Sequence, residues 1–198
     1  TQIPIGSAMT SAQPMGFSDP FSGSKGWVDR YGDVLVSQFI SAQMMADKWK
    51  LSRAAMEGFA LRSHNRALNA IDKGYFDLEI APLNGVVMDE TARITSLEKM
   101  AELQPIQEGG SITAAVSSQT CDGASAVLLV SEEALKRYNL TPRARIAHMS
   151  VRGADPIWML TSPISATAHA LKKSGMSIHD IDLVEINEAF APVPMAWL

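Results

Sequence analysis

The sequence predicts an α/β protein, because strand and helix patterns alternate along its second half. Residues 111–142 have the pattern of a strand, a tight turn of small residues, an apolar strand at 126–130 and a helix that Ser131 caps. Residues 143–198 then give strand, helix, strand and helix. Such alternation is typical of α/β folds, and residues 143–198 resemble the opening of a second α/β half.

Two helices that meet at Leu51 and Ser52 are predicted in the first half of the chain. Residues 37–50 have helical spacing, and a second helix has Ser52 as its N-cap and Gly74 as its stop signal. One stripe of the second helix carries Met56, Phe59, Ala60, Ser63, Ala67, Ala70 and Ile71.

The rest of the first half is predicted to form short elements and loops. Residues 1 to about 30 are rich in Gly, Ser, Pro and Met without a period, which predicts an extended or looping segment. Short strands or extended pieces flank a turn at Asn84 and Gly85. The segment TSLEKMAEL predicts a short helix that ends before Pro105.

Composition and charge exclude several classes of protein. The chain has 198 residues, of which 46% are hydrophobic, and a net charge of −4 with no basic stripe for a nucleic-acid backbone. No window approaches the roughly 18 apolar residues of a membrane span, and residues 1–16 lack a signal-peptide pattern. We therefore expect a soluble, cytoplasmic protein without nucleic-acid or membrane partners.

The single cysteine and the histidines give no sign of a metal site. One cysteine, Cys121, excludes an internal disulfide and a Cys-based metal site built from one chain. The four histidines show neither HxH nor HExxH spacing. Cys121 has no His or acidic partner at an identifiable catalytic spacing, so we expect it to be a small buried residue rather than a nucleophile.

The segment EINEAF, residues 185–190, ends a predicted strand with a polar pair. The carboxyl end of a parallel strand is where α/β folds place ligand-contacting groups, so Asn187 is a candidate binding residue. On spacing alone, a helix N-cap at Asn187 with Glu188 in the first turn is the better explanation.

Two further segments are candidates for ligand contact. Small residues in SITAAVSSQTCDGASA let a ligand approach closely, although tight packing of two strands explains them equally well. One helix flank carries Arg62, His64, Arg66 and Lys73, and Arg93 precedes the next helix. Such cations can meet phosphate, but a solvated helix face is the commoner explanation for all except Arg93.

Four ordered segments resemble the thiolases, the acyl-CoA acyltransferases that cleave 3-oxoacyl-CoA. They are KWKLSRAAMEGFALRSHNRALNAI, EGGSITAAVSSQTCDGASAVLLVSEEA, ADPIWMLTSPI and DLVEINEAFAP, so the resemblance covers nearly the whole chain. The Asn-Glu-Ala-Phe motif downstream of a DGA-type turn is its most specific part. SLEKMAEL, ADPIWMLTSPI and NEAFAPVPMAW are similar in particular to actinobacterial thiolases that shorten steroid side chains.

The resemblance implies part of a thiolase-like fold with αβαβα layers. Residues 1–118 would form the loop domain that covers CoA, residues 119–142 the end of the N-terminal α/β half, and residues 143–198 the start of the C-terminal half. It also implies a homo-oligomer, a dimer or a tetramer, to whose contacts residues 3–16 contribute. No cofactor is implied beyond coenzyme A itself, as substrate.

The resemblance assigns a catalytic role to Asn187. Its side chain would hold a water that, with a histidine, forms an oxyanion hole for the thioester carbonyl. A thiolase also needs a nucleophilic cysteine, a second cysteine as acid/base and a histidine from a Gly-His-Pro motif. We expect these groups before residue 1 and beyond Leu198, since Cys121 matches neither cysteine, and we expect residues 1–198 alone to be inactive.

Five other positions match substrate contacts of the family. The resemblance places Ala114 and Ser118 at the pantetheine arm, Phe190 in its tunnel, Met159 beside the acyl pocket and Arg93 at the CoA nucleotide.

The chain departs from the family pattern near the acyl group. Ser37 and Gln38 stand where many members have a His-Met or Met-Gly pair, which predicts a wider or differently lined acyl pocket. Ser162 stands where a glycine usually precedes the proline, which puts the shape of that loop in question.

The leading hypothesis is thiolytic cleavage of a 3-oxoacyl-CoA, or the reverse Claisen condensation, through a cysteine acyl-enzyme in a full-length parent. It would serve β-oxidation of lipids or of steroid side chains. The alternatives are a non-catalytic acyl-CoA-binding module and one subunit of a split thiolase. A purely structural α/β protein is a third hypothesis, which the four ordered motifs disfavour.

Overall fold

The structure is a computed structural model that describes residues 11, 13–16 and 24–198. Within these ranges, none of the helices combines the length and apolar character needed to cross a membrane. The helices are α1 (Lys25–Tyr31), α2 (Gln38–Lys48), α3 (Arg53–Asp72), α4 (Leu97–Ala101), α5 (Glu132–Arg137), α6 (Ser162–Ser174) and α7 (Pro192–Trp197), with short 3-10 helices at Gln13–Met15, Ala114–Val116 and Ile178–Asp180.

Side-chain caps set the starts of several helices. The Ser52 hydroxyl accepts the Ala55 N–H at 3.2 Å at the start of α3, and the Ser131 hydroxyl accepts the Ala134 N–H at 3.1 Å at the start of α5. At the other end of α3 the chain leaves the helix through Gly74, which has a φ of 67°. The predictions of α2, α3, α4 and α5 are therefore confirmed.

The prediction of an extended or looping segment is wrong for Lys25–Tyr31, which forms α1. The Ser24 hydroxyl accepts the Trp27 N–H at 3.4 Å and so caps the helix. One turn later, Lys25 donates to Asp29 at 2.5 Å, an i,i+4 pair that favours helix. Most of residues 1–23, including most of the predicted oligomer contact at 3–16, lies outside the described residues.

The predicted turn forms, but the predicted strands do not pair. Asn84 and Gly85 have φ values of 50° and 84°, and a single bridge joins Leu83 to Val86. No strand is assigned elsewhere in the described ranges, including 126–130, 144–154 and 181–187. Their apolar composition favours strand, but a strand also needs a neighbour whose N–H and C=O groups it can bond, and the described residues supply none.

The core lies where α2, α3, α7 and the Ala114–Val116 turn meet. Helices α2 and α7 pack against each other, and α3 packs against the Ala114–Val116 turn and α4. The Gln43 side chain on α2 accepts the Ser111 N–H at 2.7 Å and so holds the chain that leads into the turn. The residues of this core cluster are Ala42, Met45, Ala46, Met56, Ile112, Val116, Phe190, Ala191 and Val193.

Arg53 fastens the start of α3 to the end of α4. Its Nη2 donates to the carbonyl oxygens of Met100, Ala101 and Leu103 at 3.0, 3.0 and 2.8 Å. Met100 and Ala101 are the last residues of α4, where a helix end leaves carbonyls without intrahelical partners. Its Nε donates to the carboxylate of Glu57 at 2.7 Å, and Glu57 is buried.

Arg53→Ala should therefore be strongly destabilising. It removes these hydrogen bonds and leaves the Glu57 carboxylate, whose residue is 5% exposed, without its guanidinium partner. Breaking a buried ion pair in this way costs about 3–5 kcal/mol of unfolding free energy, which urea denaturation measures.

Lys25→Ala is the matched control, since it breaks another i,i+4 pair. The side chains of Lys25 and Asp29 are 88% and 60% exposed, so the loss should stay below about 1 kcal/mol. Equal losses in the two variants would contradict the role given to Arg53.

Candidate functional site

Two segments far apart in sequence pair through their backbones. The Ser118 N–H donates to the Ala189 carbonyl at 2.9 Å, and the Ala191 N–H donates to the Val116 carbonyl at 2.9 Å. Ser117 and Phe190 form an antiparallel bridge between them. The small-residue turn and the EINEAF segment, both selected from sequence, therefore lie side by side.

A cavity of about 210 Å³ opens beside this pairing. It lies between α3, the loop before α4, the turn and the residues that follow Asn187. Its lining combines both signs of charge with hydroxyl groups and a thiol. These groups belong to Ser63, His64, Arg93, Ser118, Cys121 and Glu188.

Arg93 and Ser118 are the two predicted site residues that line the cavity. Ala114 is exposed one residue before the lining begins at Ala115. Phe190 is buried in the core, with its ring edge-on to Phe39 at a centroid distance of 5.6 Å. The structure thus places Ala114, Ser118 and Phe190 at or next to the paired segments. Arg93 lies across the cavity from them.

Asn187 is exposed and precedes the paired residues. It does not line the cavity, although its neighbour Glu188 does. The explanation of Asn187 as a helix cap is wrong, because α7 begins at Pro192 and its N-cap is Ala191. The Asn187 side chain makes no hydrogen bond to another described residue, so its carboxamide is available to a ligand.

Arg93 is held beside His64 and Gln119. Its backbone N–H donates to His64 Nδ1 at 3.4 Å, and its Nη1 donates to Gln119 Oε1 at 3.4 Å. Gln119 in turn donates to the Thr91 carbonyl at 2.6 Å, which ties the loop before α4 to the turn. The exposed guanidinium keeps donors for an anionic ligand group.

His64 is neutral in this arrangement, because its Nδ1 accepts a hydrogen bond. Partial burial lowers the pKa of His64 below its usual value, and the Arg93 charge lowers it further. The Glu188 carboxylate acts in the opposite direction and raises the pKa. A neutral His64 beside Arg93 leaves the positive charge at this end of the cavity on the guanidinium.

Glu188 reaches back to α3. The Ser63 hydroxyl donates to Glu188 Oε2 at 2.7 Å, a short bond to a charged acceptor. It joins the residue that follows Asn187 to a helix 125 positions earlier in the chain.

Met159 lies apart from the cavity, in a turn that packs on the end of α2. Lys48 Nζ lies 4.6 Å from the Trp49 ring centroid and 4.8 Å from that of Trp158. The Ser41 hydroxyl donates to the Trp158 carbonyl. Met159 itself has a φ of 33°, a left-handed conformation that costs a non-glycine residue energy, so its neighbours hold it there.

The prediction of Cys121 as a buried residue is wrong, because its side chain is exposed and lines the cavity. The residues that follow it, 122–130, are exposed as well.

The sequence predicted that His64 lies on a solvated helix face and that Glu188 lies in the first turn of a helix capped by Asn187. A signal for His64 is present, since it follows Ala60 by four residues and precedes Ala67 by three, and so borders the apolar stripe of α3. The Ser63–Glu188 bond has no local signal, because its partners are brought together by the packing of distant segments.

Two family models match the chain. The model described as thiolase, N-terminal domain, matches residues 21–133, and the model described as thiolase, C-terminal domain, matches residues 140–198. A steroid 3-ketoacyl-CoA thiolase of Mycobacterium tuberculosis is 56% identical over 202 residues, which cover 100% of this chain and 50% of that protein.

Solved structures agree with these sequence matches. The crystal structure of human mitochondrial 3-ketoacyl-CoA thiolase in complex with CoA gives a TM-score of 0.77 at 44% identity, over 80% of this chain and 41% of that one. The Bacillus anthracis acetyl-CoA acetyltransferase gives 0.75 at 38% identity, over 82% and 44%. The predicted thiolase-like α/β fold is confirmed, and the chain spans about half the length of these relatives.

The charges around His64 predict opposite responses to two substitutions. Arg93→Gln keeps the backbone N–H but removes the positive charge, so the pKa of His64 should rise. Glu188→Gln removes the negative charge, so the pKa should fall further. An NMR titration of the His64 imidazole measures both, and shifts in the reverse directions would contradict this electrostatic account.

The same depressed pKa predicts the sign of a stability change with pH. Between the folded-state pKa and the usual value of about 6.5, the unfolded chain binds more protons than the folded one. Stability should therefore fall as the pH decreases through this window, and His64→Gln should remove that part of the dependence.

Proposed function

The chain belongs to the thiolase family, and from this premise we propose that its full-length protein cleaves a 3-oxoacyl-CoA by thiolysis. The observation that carries the proposal is the backbone pairing of Val116 and Ser118 with Ala191 and Ala189. It joins two of the four segments that resemble the family, next to a cavity lined by the Arg93 guanidinium, which keeps donors beyond its bond to Gln119.

The proposed reaction exchanges a carbon–carbon bond for a thioester. A cysteine thiolate attacks the 3-oxo carbon, the bond between C2 and C3 breaks, and acetyl-CoA leaves after its C2 carbanion takes a proton. The thiolate of a second CoA then removes the acyl group from the cysteine. We propose that the cysteines and the Gly-His-Pro histidine belong to the remainder of the full-length protein.

Asn187 has the electrostatic role in this proposal. When the bond between C2 and C3 breaks, negative charge develops on the oxygen of the departing thioester. A water that the exposed Asn187 carboxamide holds, together with a histidine, would donate hydrogen bonds to that oxygen. Donors fixed in place before the reaction stabilise the transition state more than the ground state.

CoA itself would occupy the cavity side of the paired segments. Arg93 would pair with a phosphate of the nucleotide, while Ala114, Ser118 and Phe190 would border the pantetheine arm. The human mitochondrial relative was crystallised in complex with CoA, which supports coenzyme A as the ligand. No further cofactor is part of the proposal.

The acyl group is proposed to be bulky, as in a steroid side chain. The support is the 56% identity to a steroid 3-ketoacyl-CoA thiolase over the whole chain. We propose that acyl specificity is set by Ser37 and Gln38 at the start of α2 and by Met159 in its strained turn.

Two further proposals rest on the resemblance. One is a homo-oligomer, a dimer or a tetramer. The other is the division of the chain at residues 118 and 142 into a loop domain and parts of two α/β halves.

Asn187→Ala tests the catalytic part of the proposal in the full-length protein. Loss of one oxyanion-hole group should lower kcat for thiolysis by about 100- to 1000-fold, with a smaller change in KM. The measurement is the CoA-dependent loss of 3-oxoacyl thioester with acetoacetyl-CoA and with a steroid-type substrate. Asn69→Ala, at an exposed position of α3, is the control and should keep wild-type rates.

Arg93→Ala tests the binding part in the same assay. Loss of a charged hydrogen bond to phosphate should raise the KM for CoA about tenfold and leave kcat nearly unchanged.

A full-length protein that binds acyl-CoA without cleaving it would instead favour the non-catalytic module. Cleavage that needs a second, different chain would favour the split thiolase.

A further inference from the structure

The hydrogen bond between Ser63 and Glu188 ends one residue from Asn187, and we propose that Ser63 is a positioning residue for Asn187. By holding the Glu188 carboxylate, the Ser63 hydroxyl fixes the backbone that carries the Asn187 carboxamide. This inference rests on the proposed function, because it concerns the group that we place at the oxyanion.

The neighbours of Asn187 show why such a bond is needed. On the N-terminal side, Leu183 and Val184 are exposed, and no described residue pairs with them. The side chain of Asn187 is itself exposed and makes no hydrogen bond to a described residue. Its position is therefore set from the C-terminal side, by Glu188 and by the paired residues that follow.

The C-terminal side supplies two constraints of different kinds. The backbone bonds from Ser118 to the Ala189 carbonyl and from Ala191 to the Val116 carbonyl fix the chain from Ala189 onward. Glu188 has no such backbone bond, and its side chain is held by Ser63 at 2.7 Å. Consecutive Cα atoms lie about 3.8 Å apart, so an anchor on Glu188 acts directly on the neighbouring Asn187.

Small displacements matter at this point of the site. Oxyanion donors act at about 2.7–3.1 Å, and a misplacement of about 1 Å can cost about 100-fold in rate. Ser63 lies in the third turn of α3, a helix whose start is fixed by Arg53. The Ser63 hydroxyl therefore belongs to a rigid helix, and its hydrogen bond connects that helix to the segment before Ala189, which has no regular secondary structure.

The Glu188 charge needs a separate test, because it also raises the pKa of His64. Glu188→Gln removes the charge but keeps an amide oxygen that can accept from the Ser63 hydroxyl. If positioning is the main role, this variant should keep more activity than Ser63→Ala.

The decisive experiment is a double-mutant cycle in the full-length protein. Ser63→Ala should lower kcat about three- to tenfold with KM changed less than about twofold, and Ser63→Thr, which restores a hydroxyl, should recover most of the rate. In the Asn187→Ala background, Ser63→Ala should have no further effect on kcat, because the group it positions is gone.

Ser174→Ala is the matched control. The Ser174 hydroxyl donates to the Leu171 carbonyl of its own helix at 3.2 Å and does not line the cavity, so its loss should leave kcat unchanged. Urea denaturation of every variant separates a local change from general unfolding, since Ser63→Ala should lower kcat with most of the protein folded at the assay temperature.

The outcomes separate the two proposals. If Asn187→Ala keeps wild-type activity, the proposed function of Asn187 fails. If Asn187→Ala loses activity but Ser63→Ala does not, or if Ser63→Ala costs the same factor in both backgrounds, the positioning role of Ser63 is overturned while the role of Asn187 stands.

Discussion

The antiparallel contact between residues 116–118 and 189–191 is the interaction on which the rest of the structure depends. Its two backbone hydrogen bonds bring Phe190 and Ala191 into the core beside Val116. They also carry Glu188 to the face of α3 and set one wall of the cavity. The packing of the core and the geometry of the site therefore both depend on this contact, and a substitution that loosened it would change both.

Helix α3 connects this contact to the remainder of the chain. Its first turn is bonded through Arg53 to the end of α4 and buries Met56, and about two turns later Ser63 and His64 line the cavity. The charge of Arg93 lowers the pKa of His64, and the charge of Glu188 raises it. Helix α3 therefore both supports the packing of the core and carries the histidine whose pKa the charges at the site shift.

Sequence predicts helices better than strands here, for a physical reason. Ser52 and Gly74 mark the two ends of α3 within the segment itself, and a helix bonds its own backbone. A strand at 126–130 depends on a neighbour that local composition cannot specify. The site divides in the same way: the resemblance selects Arg93 and the EINEAF motif, whereas the bond from Ser63 arises from packing between distant segments.

The exposed run at 127–129 has a consequence for how this chain behaves on its own. Val127, Leu128 and Leu129 are 83%, 78% and 69% exposed, with apolar side chains and no paired backbone in the described part of the chain. Such a run is a template for intermolecular β-pairing. Concentrated solutions of residues 1–198 would self-associate through it, and charged substitutions there would delay aggregation.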